Sequence, residues 1–433
     1  MRPVWLNRDL TLLFAGRGVR SLTQGYLAII VPLYLATLGY SAVQLGLIFT
    51  ASSIASAILA AAVGIYSDRF GRKLFLVILA LLAAFGGLVF ALSGSFLVLL
   101  VAGAISTIGR GGGAGSGGAW GPYYPAEQAL LAEHADDEHR TAVFGATSFV
   151  GVLAGAVGSL LAILPSVLQS ELGMGKIDSD RVLFGMTVIF GIAMAVVVLP
   201  VRETRQSAVE SRPRPKRAGR VSPATVRTIL KFMATNATNG LAIGFLGPIL
   251  VYWLYRRYGV GAAELGGLFT LINLATAPSY LYAARIARRL GAVNAVVLTR
   301  VVSVGILAFV PLMPVYPLAA ALLLARMVTN TLSNPIRQSY LMAIIPREER
   351  ATAAGFSNLP TQVFSSIGPT IAGYMMESIS LDLPLEFAAL FQGVNAVLYY
   401  FFFHGIKPPE EQGKGEPLAK RAVVPSAIEP PGR

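Results

Sequence analysis

Seven ionisable side chains stand in stretches of this chain that are otherwise apolar. Arg17, Arg20, Arg110, Arg300, Arg326 and Arg337 each fall inside a run long enough to cross a bilayer. Glu127 is the one carboxylate placed within such a run and away from its outer end. A charge at the bilayer centre costs at least about 2.5–3.5 kcal/mol, so residues of this kind face a polar cavity or a partner. Arginine in a dry setting pairs strongly with carboxylate or phosphate, through two parallel hydrogen bonds. A carboxylate whose solvent access changes can carry a proton. Arg17 and Arg337 lie nearer the ends of their runs and are expected to snorkel; Arg20, Arg110, Arg300 and Arg326 lie deeper.

Amides accompany the charges: Gln24, Asn236, Asn239, Asn273 and Asn330. Asn236 follows Arg20 by 216 residues, a spacing shared by Pro32 and Pro248 and by Arg110 and Arg326. Arg20 and Asn236 are therefore expected to face one central site. Each amide alone is more often an interhelical hydrogen bond. As a set, Arg20, Gln24, Arg110, Asn236, Asn239, Arg326 and Asn330 outline a substrate cavity. Glu127 has two readings: a proton carrier, or a structural ion pair with Arg337 or Arg140. Its place near a helix end favours the ion pair.

Other chemistry is excluded or poorly supported. The chain has no cysteine, which removes disulfides, thiolate catalysis and iron–sulfur clusters. His134 and His139 flank Asp136, Asp137 and Glu138, but nothing there shields or orients them, so a solvated loop is expected rather than a metal site. The glycine-rich run 109–118 is followed by no Gly-Lys-Ser/Thr and preceded by no strand, which argues against a phosphate loop. It suits close helix packing or a break lining a cavity. With no Ser–His–Asp set and no nucleotide motif, neither an enzyme nor a cofactor is expected.

The elements that must hold these groups follow from composition. The chain has 433 residues, of which 55% are hydrophobic and only 13% charged, and its mean hydropathy is +0.64. A soluble protein could not hide that much apolar surface. About 20 apolar residues span a bilayer. Twelve candidate spans emerge: 10–38, 41–65, 73–93, 96–132, 141–164, 181–201, 227–255, 264–284, 292–314, 317–344, 351–376 and 385–406. The expected fold is all-α and integral to the membrane, with two six-helix bundles at 1–201 and 227–406. A cytoplasmic linker at 202–226 joins them, and a disordered cytoplasmic tail occupies 407–433. The N-terminal run is read as a retained helix rather than a cleaved signal.

Charge sets the orientation. With the N-terminus inside, twenty-five of the 35 Lys and Arg fall in cytoplasmic segments, four in outer ones and six within helices. Lys and Arg resist translocation, so both termini are expected in the cytoplasm. The net charge of +13 then records topology. The basic linker suits anionic headgroups and lacks the interleaved aromatics of a nucleic-acid site.

The loop Gly64–Lys73 reads G-I-Y-S-D-R-F-G-R-K. It resembles the loop signature of the major facilitator superfamily, with Gly64, Asp68, Arg69, Gly71, Arg72 and Lys73 filling every defined position. A degenerate partner, A-A-R-I-A-R-R-L-G, ends at Gly291. A shift of 210 residues aligns Pro125 with Pro335, Gln128 with Gln338, Glu138 with Glu348, Arg140 with Arg350, and Gly158 with Gly368. It also aligns Glu127 with Arg337. Such a parallel repeat suits two halves rocking about a central site.

The resemblance implies uniport, symport or antiport of a small solute without ATP, by a multi-pass protein of the cell membrane, expected as a monomer. It assigns Gly64, Asp68, Arg69, Gly71, Arg72, Lys73, Glu138, Arg140, Glu348 and Arg350 to a cytoplasmic gate, with Asp68 facing the helix that begins near Ala351. Arg110 with the following glycines resembles the fourth-helix motif of proton-linked members. The proline-bearing fifth-helix motif of antiporters is absent; the related G-P-T-I-A-G lies at 368–373. Proton-linked export of small organic compounds is expected first. Exchange or uptake of organic anions comes second, and a non-transporting receptor or lipid-handling protein third.

Overall fold

The computed structural model describes residues 6–106, 108, 121–136, 139–203, 222–247, 249–346 and 349–406. Sixteen α-helices and one short 3₁₀ turn make up the regular structure of these residues. In the first half they are α1 (Arg8–Thr37), α2 (Ala42–Phe70), α3 (Arg72–Leu92), α4 (Phe96–Ser106), α5 (Tyr123–His134), α6 (Arg140–Leu161), α7 (Leu164–Leu172) and α8 (Lys176–Val198). The second half has α9 (Pro223–Leu246), α10 (Ile249–Tyr258), α11 (Ala262–Thr276), α12 (Ser279–Leu290), α13 (Ala292–Phe309), α14 (Tyr316–Ile344), α15 (Arg350–Ser378) and α16 (Leu383–Phe403).

Local chemistry sets the boundaries. Asn7 accepts from the Leu10 amide to cap α1, and Ser41 with Gln44 forms a capping box at α2. Gly71 (φ 107°) and Gly291 (φ 81°) separate α2 from α3 and α12 from α13. Those dihedrals lie in the region that favours glycine, which is why both copies of the loop motif keep one there. Pro278 falls at the break between α11 and α12, where it supplies no amide hydrogen to continue the ladder.

Seven helical segments are long and apolar enough to cross a membrane, and α9 with α10 forms an eighth, bent by 41°. The outward faces bear large apolar side chains such as Ile58, Ile65, Phe149, Ile189, Phe309 and Phe401, each more than half exposed. In water this surface would be a liability; in hydrocarbon it is the solvated face. Two expected spans occur in two pieces, α9–α10 and α11–α12, and of the span 96–132 the described residues give α4 and α5. Twelve crossings require each pair to act as one.

The halves pack alike. In the first, α1 lies against α6 and α8, and α3 against α8; in the second, α9 lies against α15 and α16, and α13 against α14 and α16. Without a hydrophobic drive between helices in lipid, close approach needs small residues. Gly158 sits on the Leu22 carbonyl, and its repeat mate Gly368 on the backbone of Gly244. Between halves, α2 meets α15 and α6 meets α11.

Three hydrophobic cores result. One draws on both halves, around Tyr34, Phe49, Trp253, Leu265 and Leu385. At the opposite end, which carries the basic loop 69–73, each half keeps its own core: Leu13, Leu79 and Leu130 in the first, Phe232, Tyr340 and Phe403 in the second.

Gly158→Val and Gly368→Val will each lower thermal stability in detergent, by about 1–3 kcal/mol for overpacking. Gly145→Val, at a site with open space within 4 Å, will not. Equal melting of all three would remove the packing role.

Candidate functional site

Arg17 and Arg20 lie three apart on α1 and so share a face. Both reach one atom: Glu127 Oε2 accepts from Arg17 Nη1 at 2.7 Å and from Arg20 Nη2 at 3.2 Å. All three residues are at most 5% exposed. Arg17 therefore does not snorkel, and Glu127 pairs with Arg17 and Arg20 where the sequence suggested Arg337 or Arg140; the Arg140 side chain lies outside the described residues. Two cations on a single oxygen fix the carboxylate in place. The Arg20 guanidinium also lies 4.9 Å from the centroid of Tyr123, a cation–π contact that offsets part of its desolvation. Beside Arg20 is a cavity of about 50 Å³, lined by Thr23, Gln24, Ser106 and Thr187 among others. It has room for a few waters, each needing roughly 10–15 Å³, and none for an organic solute.

The second half solves the same problem differently. Arg300 Nη1 on α13 donates to Asn239 Oδ1 at 2.6 Å. Arg326 Nη2 on α14 donates to Gln392 Oε1 at 3.3 Å, and Gln392 Nε2 donates to Asn330 Oδ1 at 3.4 Å. Arg337 Nη1 donates to Asn236 Oδ1 at 2.9 Å, while Asn236 Nδ2 holds the Ser357 carbonyl at 2.6 Å. Arg300 feels the charges of both Arg326 and Arg337. The amides that hold these three guanidiniums are neutral. Four buried atoms nearby find no partner among the described residues: Arg300 Nε, Ser303 Oγ, Arg326 Nε and the Tyr399 hydroxyl.

Of the expected cavity residues, Arg20, Asn236, Asn239, Arg326 and Asn330 make side-chain contacts within their own halves. Arg20 and Asn236, at 4% and 3% exposure, do not meet at one shared surface. Their contacts are nonetheless related by the repeat. The α1–α5 contact joins Arg20 to Glu127; the α9–α14 contact joins Asn236 to Arg337, with donor and acceptor exchanged. Sequence reasoning missed Gln392, Asn395 and Tyr399. Their spacing of three and four places them on one face of α16, a polar stripe that period counting would have found.

Residues 13–237 and 232–431 match a family model described as the Major Facilitator Superfamily. The chain belongs to that superfamily. In sequence it is similar to the uncharacterized membrane protein YJR124C of Saccharomyces cerevisiae, 23% identical over 432 residues, covering 90% of this chain and 95% of the relative. In structure it is similar to a bacterial homologue of the human lysosomal transporter Spinster, inward-facing and unoccupied. The TM-score is 0.69 at 15% identity, over 93% of this chain and 97% of that one. It is also similar to a mutant of the nucleoside transporter NupG, with a TM-score of 0.71 at 13% identity, over 92% and 100%. At these identities the structural likeness shows the fold alone. The superfamily makes this a multi-pass membrane transporter and not an enzyme.

The superfamily's loop signature is built as a charge cluster. Asp68 Oδ1 accepts from Arg72 Nη2 at 2.8 Å and from Arg72 Nε at 3.0 Å. Arg72 Nη1 also reaches Glu133 Oε2 at 3.4 Å. Glu203 accepts from the backbone amides of Arg72 and Lys73 at the start of α3, where the helix dipole favours an anion. Lys73 Nζ donates to the Leu199 carbonyl, Arg69 lies 5.5 Å from the Phe70 ring centroid, and Gly64 is exposed. Among the described contacts Asp68 is held by its own loop, and its side chain is 67% exposed; most side chains of the first turn of α15, its expected partner, lie outside the described residues. Glu133 and Glu203 were not anticipated. Arg110, Glu138, Glu348, most of 202–226 and all of 407–433 lie outside the described residues. Arg140 and Arg350 open α6 and α15, but their side chains lie outside the described set. His134, expected in a solvated loop, has its ring 3.8 Å from Asp9.

Glu349 fastens the second half, accepting from the Ser222 amide at 2.9 Å. Thr225 first, then Ser222, hold its carboxyl below the usual range. Its stabilisation is present above the unfolded value of about 4.3 and is lost as pH falls. Glu349→Gln will therefore flatten the acid side of the melting-temperature profile; an unchanged profile would rule the contact out as a contributor. For the triad, Glu127→Gln leaves two buried cations and will cost about 3–5 kcal/mol. Arg17→Gln in the same chain will restore part of this, with a coupling of about 0.5–3 kcal/mol. Melting of the two single variants and the double variant measures it, and additive losses would contradict the pairing.

Proposed function

We propose that this chain moves a small organic anion across the membrane by alternating access. One observation carries the reading: Arg300, Arg326 and Arg337 are gathered in the second half and held by neutral amides. A cation in hydrocarbon is retained where it has a task, and pairing with carboxylate or phosphate is the task that guanidinium geometry serves best.

The architecture in this reading is twelve crossings in two bundles, 1–201 and 227–406, joined by the linker 202–226. The charge asymmetry of 25 to 4 across the two faces supports placing both termini, the linker and the tail 407–433 in the cytoplasm. The basic end, where each half keeps a separate core, then opens inward. Asp68 is exposed in this state and becomes available to the first turn of α15 when that end closes. The protein works as a monomer in the cell membrane.

Proton-linked export of small organic compounds ranks second. Glu127 is its proton carrier, the buried acid of the first half. It ranks lower because a proton on Glu127 would remove the negative charge that Arg17 and Arg20 share.

Purified protein in liposomes will exchange labelled organic anions, and lipophilic cations and sugars will not compete. A ligand present at 100 times its Kd raises stability by about 2.7 kcal/mol, so anions will also raise the melting temperature. Asp68→Asn will reduce flux without reducing membrane insertion. Stabilisation and flux confined to cations or neutral compounds would overturn the anion reading. Binding without flux would make the protein a receptor. Unimpaired proton-driven flux in Glu127→Gln would end the proton-carrier alternative.

A further inference from the structure

The second half's charge cluster has a countable deficit. Among the described residues of the first half, one carboxylate, Glu127, faces two arginines, Arg17 and Arg20. In the second half three arginines are held by amides, leaving three positive charges. These three differ in their access to water. Arg337 is half-buried, and none of its nitrogens is among the buried atoms without a partner. Arg300 and Arg326 are 1% and 4% exposed. The two lie on neighbouring helices that pack closely, α13 and α14, and repel one another. Around them, Arg300 Nε, Arg326 Nε, Ser303 Oγ and the Tyr399 hydroxyl are buried donors without an acceptor among the described residues. Ser303, Tyr399 and Arg300 are each no more than 1% exposed.

Amide oxygens satisfy hydrogen bonds but cancel no charge, so each dry cation still lacks a negative partner. Two dry cations and four idle donors together describe a receptor for an oxyanion group of charge minus two. A single negative charge would leave one of the pair unneutralised. A third would have to be balanced by Arg337, which offers no idle buried donor.

We infer that the solute is doubly negative, a dicarboxylate or a phosphate monoester, and that Arg300 and Arg326 are the residues that read its charge. Tyr399 and Ser303 supply neutral donors to the same group, and Arg337 with Asn330, both half-buried, leads the solute towards it. This rests on the anion reading above and narrows it to one charge class.

The test uses the full chain in nanodiscs of neutral lipid. Thermal unfolding is followed with dicarboxylates of increasing length and with phosphate monoesters. Each is run beside a partner of one lower charge, the monoamide or the phosphodiester. The dianion will bind at least about tenfold more tightly than its partner, the equivalent of 1.4 kcal/mol. Whether the dicarboxylate or the phosphate arm responds identifies the group carried.

Arg300→Met and Arg326→Met will erase that ratio, and without ligand they will melt at or above the parent, because each removes a repulsive buried charge. Equal binding of dianion and monoanion overturns the inference while leaving anion transport standing. Ligand-free variants that melt below the parent overturn it too, by making the arginines structural. No response to any anion overturns both this inference and the reading it rests on.

Discussion

A charge taken out of water must be answered, and in a membrane there is little to answer it with. In the apolar interior, each half of this transporter holds more guanidinium than carboxylate. The first half answers with Glu127, one oxygen shared by Arg17 and Arg20. The second answers with the dipoles of Asn236, Asn239 and Gln392. A carboxylate neutralises, whereas an amide only solvates. The first arrangement is half neutralised within the protein, and the second remains electrostatically open. The helices, their glycine contacts and their cores hold these two unequal answers in related positions.

The rest of the molecule permits the halves to move about that pair. Glycine at 158 and 368 lets one helix backbone rest directly on another within each half, so each bundle is stiff. Between halves, one core closes the end opposite the basic loop, and the basic end has a separate core on each side. The loop 64–73 is knitted to its own half by Arg72, Glu133 and Glu203, so its carboxylate at Asp68 stays near the surface.

Much of this was legible in the sequence because it follows from local rules. Apolar run lengths gave the helices, and a left-handed glycine after a short loop marked the turns at Gly71 and Gly291. The 210-residue register located Glu127 and Arg337 as counterparts. What could not be read was the direction in which long side chains turn. Arg17 sits near a helix end, where reach to water is the ordinary outcome, yet Glu127 from a helix over a hundred residues later captures it. Gln392, Asn395 and Tyr399 looked like scattered polar residues until α16 placed them opposite α9 and α14. Helix breaks at Pro278 and around Gly247 were also invisible to a hydropathy window, since they interrupt hydrogen bonding without lowering apolarity.

The exchange of donor and acceptor between the two copies also makes the repeat unequal. Two first halves joined together would bring a second Glu127 and no amide-held arginine trio. Two second halves would crowd six arginines together with no carboxylate near them. With Glu127 and Arg337 of opposite sign at one repeat position, the two copies are not interchangeable, and neither half can stand in for the other.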